Sequence, residues 1–246
     1  MTSEDLSFQY DIGRRSNYVG SGKEVQVERI NAYICNPTYN TNKALILVHD
    51  IYGWQFSDTR YVADILAYNG YVTICPDFFL GKEPWKPTDK WKDFKHVSLK
   101  ALRQSTSSEI ACLLYLKEQF SATNIGIVGF SWGGMAVHHL MLTTPELKAG
   151  VSLYGIIRDS DQRYDLLNPT FFIFGGKDHT ISLDQVTLLE EKLKEYCRVP
   201  YKVKVYPKQV HGFAQCKPED MKPEDVPYIE EARMDMMSWL NRYMMV

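Results

Sequence analysis

Ile125-Gly126-Ile127-Val128-Gly129-Phe130-Ser131-Trp132-Gly133-Gly134-Met135 is the stretch that decides the fold. Its first half is a short run rich in β-branched residues and reads as a buried strand, while residues 135–141 read as helix. Between them stands G-x-S-x-G, the pattern of a tight strand-to-helix turn that holds its central side chain in a strained position. The glycines are needed because a Cβ at either flank would crowd the neighbouring strand and helix. Ser131 then sits at a helix N-terminus, where the dipole and free N–H groups favour developing negative charge. The Trp132 N–H is the expected first oxyanion donor. The plainer alternative is an ordinary strand–helix turn with a surface serine.

Outward from that turn, short apolar runs recur at residues 44–48, 71–75, 149–153, 170–174 and 201–206. Near-continuous apolar runs of this length suit strands buried on both faces of a parallel sheet. Helical spacing separates them: residues 59–69 with Tyr61, Ile65 and Leu66 inward, and 109–120 with Ile110, Leu113, Leu114 and Leu116. Residues 183–196 follow with Val186, Leu189 and Leu193, and 228–243 with Met236, Trp239 and Leu240. Residues 24–34 read as an antiparallel edge, and 78–95, holding Pro84, Pro87, Trp85 and Trp91, as a long aromatic loop and candidate pocket wall. Strand and helix alternate, which predicts an α/β fold: a mainly parallel sheet with helices on both faces, in one domain spanning residues 1–246.

In α/β-hydrolases an acid and then a histidine follow the serine. Asp178 lies just past the run 171–174 and the turn Gly175-Gly176, where such sheets gather catalytic groups. A simple turn aspartate is the alternative. His211 heads His211-Gly212-Phe213 beyond the strand 201–206, with a surface loop histidine as its alternative. His138 and His139 fall on the helix after the turn, His49 in a buried strand, His96 in the aromatic loop and His179 beside the acid, so none of them fits the order as well. The expected roles are His211 as the base for Ser131 and Asp178 as the group fixing the imidazole. The second oxyanion donor is expected after residues 44–48, at the Ile51 N–H.

A net charge of −2 gives no pull towards nucleic acid or an anionic membrane surface. Five irregularly spaced cysteines without a CxxC pair suit reduced thiols in a cytosolic setting. No signal-peptide pattern or bilayer-length apolar run is read in the chain. Zinc-protease, dinucleotide and phosphate-loop patterns are missing from the sequence, so no metal or cofactor is expected.

Leu47-Val48-His49-Asp50-Ile51-Tyr52-Gly53, Pro76-Asp77-Phe78-Phe79, Gly126 to Gly134, Gly175-Gly176-Lys177-Asp178-His179 and His211-Gly212-Phe213 together resemble the dienelactone hydrolases. Asp11-Ile12-Gly13 and Val25-Gln26-Val27-Glu28 extend the resemblance over nearly the whole chain. It implies a cofactor-free, cytosolic hydrolase of small esters and lactones that acts through an acyl-enzyme. It also implies that Asp50 modulates the nucleophile. The family's usual nucleophile is a cysteine where this chain has Ser131, which leaves two accounts: a natural serine enzyme, or a member silenced by Cys→Ser. A non-catalytic relative that binds a small ligand or a protein is the third reading. Bacterial members bind the substrate carboxylate with an arginine where this chain has Gln215, so a less polar ester or lactone is expected, in a pocket lined by Trp54, Phe79, Trp85, Tyr154 and Gln215. A monomer or weak dimer is expected, with the small-molecule substrate as the only partner.

Overall fold

A computed structural model describes residues 18–86, 88–157 and 163–244, apart from the side chains of residues 91–96. Asp11-Ile12-Gly13, Pro87 and the side chains of Trp91 and His96 therefore lie outside the described residues. The strands are β1 (Lys23–Val27), β2 (Ile30–Cys35), β3 (Lys43–Val48), β4 (Val72–Pro76), β5 (Asn124–Phe130), β6 (Gly150–Leu153), β7 (Thr170–Gly175) and β8 (Tyr201–Tyr206). They form one sheet in the order β1-β2-β4-β3-β5-β6-β7-β8. From β4 to β8 every pairing is parallel, and β1 and β2 are the antiparallel edge. Every residue of β4, β6 and β7 is buried. Consecutive side chains point to opposite faces, so both faces of the sheet are covered. At the outer edge, β8 carries Lys202 and Lys204, and charge on an edge strand discourages further pairing.

The helices are α1 (Ser57–Tyr68), α2 (Trp91–Phe120), α3 (Trp132–Met141), α4 (Leu183–Tyr196) and α5 (Val226–Tyr243). In α4 and α5 the expected inward residues are the buried ones. Two expectations are corrected. α1 turns Val62, Ala63, Leu66 and Ala67 inward, with Tyr61 and Ile65 only half-buried beside them. The helix expected at 109–120 is the last part of the 30-residue α2, so residues 91–95 are helical and not loop. Ser98, Ala101, Leu102, Ser105, Ser108, Glu109, Cys112, Leu113 and Leu116 form its buried stripe, whereas Ile110 and Leu114 are exposed. The spacing is helical throughout, but serines occupy much of the stripe and so hide its apolar period.

Glu109 is buried in that stripe, where its Oε2 accepts from Thr144 Oγ1 at 2.7 Å and its Oε1 has no partner among the described residues. Burial, with some repulsion from Glu146, pushes the carboxyl pKa up to about 7. The folded chain therefore keeps a proton that the unfolded chain releases, and stability falls as pH rises from about 4.5 through about 7. Glu109→Gln removes the charge while keeping an acceptor for Thr144. It is expected to stabilise by ~2–3 kcal/mol at pH 8 and by little at pH 4.5. Melting curves at the two pH values check this, and an equal gain at both would refute it.

Candidate active site

Ser131 has φ 54° and ψ −111°, a backbone conformation that costs an L-residue about 1–3 kcal/mol and persists only when its surroundings enforce it. The enforcement is visible. The Ser131 N–H donates to Leu153 O at 3.0 Å, and its carbonyl accepts from Met135 N at 3.1 Å and Ile156 N at 3.3 Å. The chain is thus held by β6 on one side and by the first turn of α3 on the other. A Cβ on Gly129 would strike the Gly133 backbone, which is the crowding expected for a glycine at this place.

The other polar groups arrive from the C-terminal ends of neighbouring strands. His211 follows β8, and its Nε2 lies 2.8 Å from Ser131 Oγ. Its Nδ1 lies 2.7 Å from Asp178 Oδ2, just beyond β7. Asp178 Oδ1 accepts from the N–H groups of Thr180 at 2.7 Å and Ile181 at 3.0 Å, which fixes the carboxylate plane. An acceptor-only carboxylate demands that Nδ1 carry its proton, leaving Nε2 to accept from the serine hydroxyl. A hydroxyl so placed can pass its proton to the imidazole as the oxygen attacks an electrophile. The Asp178 side chain is fully buried and that of His211 nearly so.

The turn after β3 forms the opposite wall. Val48 pairs with Gly129, so Asp50 and Ile51 leave the sheet beside the turn that carries Ser131. Asp50 is buried; its Oδ1 accepts from Tyr52 N at 2.8 Å and its Oδ2 from Gln215 Nε2 at 3.2 Å. Among the described residues neither bond goes to Ser131, so any influence of Asp50 on the nucleophile, which the resemblance implies, runs through its charge or its neighbours. A serine hydroxyl already committed to imidazole has no proton left for a second acceptor. Burial raises the Asp50 carboxyl pKa to about 7, opposed by these two hydrogen bonds.

Tyr154, at the end of β6, puts its ring 5.1 Å from that of His211 and its hydroxyl 3.3 Å from Gln215 Oε1. Phe79 packs against Trp132 with ring centroids 5.0 Å apart. Trp85 lies over the Ile51 turn, its main-chain N–H donating to Ile51 O at 2.9 Å and its ring 5.8 Å from that of Tyr52. Trp54 is buried, with the Arg60 guanidinium of α1 5.5 Å from its ring.

His49 is a residue the sequence reading passed over. Its Nδ1 lies 2.7 Å from Asp50 O, its Nε2 accepts from Phe78 N at 3.1 Å, and its ring stacks on Trp132 at 5.8 Å. Burial lowers its pKa to about 4, so the ring is neutral at pH 7, with the proton on Nδ1 as the Asp50 carbonyl requires. One imidazole thus ties the turn after β3 to the loop after β4. A polar residue directly after an unbroken apolar strand was the available signal.

The parallel sheet with a strained serine between β5 and α3 defines an α/β-hydrolase fold. The chain belongs to the dienelactone hydrolase family, whose model matches residues 30–244. It is 53% identical over 244 residues to a carboxymethylenebutenolidase homolog of Xenopus tropicalis, covering 99% of both chains. It is 50% identical over 245 residues to the homolog of Homo sapiens, covering 99% of this chain and 100% of that one. A dienelactone hydrolase-like structure from Klebsiella pneumoniae superposes with a TM-score of 0.77 at 23% identity, covering 90% of this chain and 98% of the other. Among the described residues no helix is long and apolar enough to cross a membrane.

Proposed function

We propose that this protein hydrolyses small carboxylic esters and lactones through an acyl-enzyme on Ser131. The observation that carries this reading is the unbroken hydrogen-bonded path from Ser131 Oγ through His211 to Asp178. Ser131 Oγ attacks the carbonyl carbon as its proton passes to His211 Nε2, and the carbonyl π pair moves onto oxygen. The N–H groups of Trp132 and Ile51 receive that oxyanion. Collapse re-forms the carbonyl and breaks the bond to the leaving alkoxide, which takes the proton from His211. Water then repeats the sequence in reverse roles and frees the acid and Ser131. Asp178 holds the imidazole tautomer throughout. For a lactone, the leaving alkoxide stays attached and the product is a single hydroxy acid.

Specificity is set by what surrounds Ser131. Gln215 is a neutral amide whose two ends already engage Asp50 and Tyr154. Phe79, Trp85 and Tyr154 supply aromatic surface. This favours an uncharged acyl group over an anionic one, since an arginine fork would be the strong partner for a carboxylate.

The test is covalent labelling by a fluorophosphonate together with p-nitrophenyl acetate turnover. Labelling of the chain that is lost on Ser131→Ala, with steady turnover, is the expected result. Neither labelling nor turnover above a His211→Ala blank would overturn the reading and leave the silenced account standing.

A further inference from the structure

We infer that Gln215 and Tyr154 are positioning residues, joined through Asp50, that hold the turn offering the Ile51 N–H at a fixed place relative to the loop carrying His211. The inference rests on the proposed ester hydrolysis, because it gives these side chains a task only if Ile51 and His211 act on one carbonyl.

With Asp50 ionised, the state favoured above its pKa of about 7, the amide of Gln215 has a single satisfying orientation: Nε2 donates to Asp50 Oδ2 at 3.2 Å, and Oε1 accepts from Tyr154 Oη at 3.3 Å. Asp50 passes the constraint on. Its Oδ1 accepts from Tyr52 N, an Asx turn that encloses Ile51 and sets the direction of that residue's N–H. The Asp50 carbonyl is fixed as well, by His49 Nδ1 at 2.7 Å. At the other end, Gln215 closes the short 3-10 turn Phe213–Gln215 that begins two residues after His211. That turn is pinned to α5, where Arg233 Nε donates to Ala214 O at 3.0 Å. Tyr154 is a rigid post: it stands at φ 38°, its N–H donates to Ile173 O at 2.6 Å, and its ring lies against both His211 and Phe130. Three loops after three different strands, β3, β6 and β8, therefore meet on one buried amide. A small displacement of a donor from the oxyanion position is costly for rate, as much as ~10²-fold for about 1 Å.

The experiment compares Gln215→Met, Tyr154→Phe and the double variant for kcat and KM on p-nitrophenyl acetate and for affinity towards an aryl boronic acid that mimics the tetrahedral oxyanion. Melting curves are recorded alongside. Gln215→Met keeps the length and loses both hydrogen bonds, and is expected to lower kcat by ~10–100-fold with KM within about 3-fold. Boronate affinity should fall in step with kcat. Tyr154→Phe keeps the ring against His211 and should lose ~3–10-fold, and the double variant should be no worse than Gln215→Met, because both act on one path. Unchanged kcat with a lowered melting temperature, or losses that multiply, would overturn the inference while leaving ester hydrolysis in place. A wild-type chain no faster than the His211→Ala blank would overturn both.

Discussion

Alanine at Ser131 or at His211 is expected to lower kcat for p-nitrophenyl acetate by ~10⁴–10⁶-fold, and alanine at both to cost little more than either alone. The non-additivity follows from the geometry. In the proposed route the Ser131 hydroxyl gives its proton to His211 Nε2 across a 2.8 Å bond, so removing either partner removes the same event. What survives comes from groups neither substitution touches, the main-chain donors and the walls of the pocket. Losses that multiply instead would mean two independent chemical contributions and would sink the acyl-enzyme route. Ser131→Cys adds a second discrimination. A thiol can be ionised before substrate arrives, whereas a hydroxyl yields its proton only in the transition state. Turnover confined to the cysteine variant would assign the natural activity to a thiol.

The turn, the mainly parallel sheet around it and the meeting of Asp178 and His211 beside Ser131 were legible because each rests on a local rule. Gly129-Phe130-Ser131-Trp132-Gly133 encodes its own backbone path, and Asp178 and His211 each follow a strand ending in the same layer. The stripe of α2 was not legible. Ser98, Ser105 and Ser108 are buried there, and a serine signals burial only when its neighbours are known. Ser105 shows how such a residue is accommodated, its hydroxyl donating to Leu102 O at 2.7 Å within the helix. Trp54 shows the same limit: its place in the chain, four residues after Asp50, says nothing about the Arg60 guanidinium that stands 5.5 Å from its ring. His49 and Gln215 mark the general boundary. Both join loops that are distant in sequence, Gln215 and Asp50 standing 165 positions apart, and no local pattern carries such a contact.

Gly133→Ala is expected to abolish fluorophosphonate labelling and to lower the melting temperature by more than ~10 °C, the scale of several kcal/mol in a chain of this size. Gly133 lies in the first turn of α3, pressed against the end of β3. A Cβ there would sit 2.6 Å from the His49 carbonyl oxygen, and closer still to that of Val48. Both are main-chain atoms, so no rotamer change relieves the overlap, and overpacking of this kind moves backbone. Two movements are open. Either α3 lifts off β5 and the enforced conformation of Ser131 relaxes, or the turn after β3 shifts and carries Asp50 and Ile51 with it. Each dismantles one half of the site. Gly81→Ala is the matched control, since Gly81 has φ +76° but nothing within 4 Å of the added methyl. Its cost is the positive φ alone, about 1 kcal/mol, with labelling intact. If Gly133→Ala instead melts like Gly81→Ala and still reacts, the close approach of β3 to α3 does not hold the serine in place.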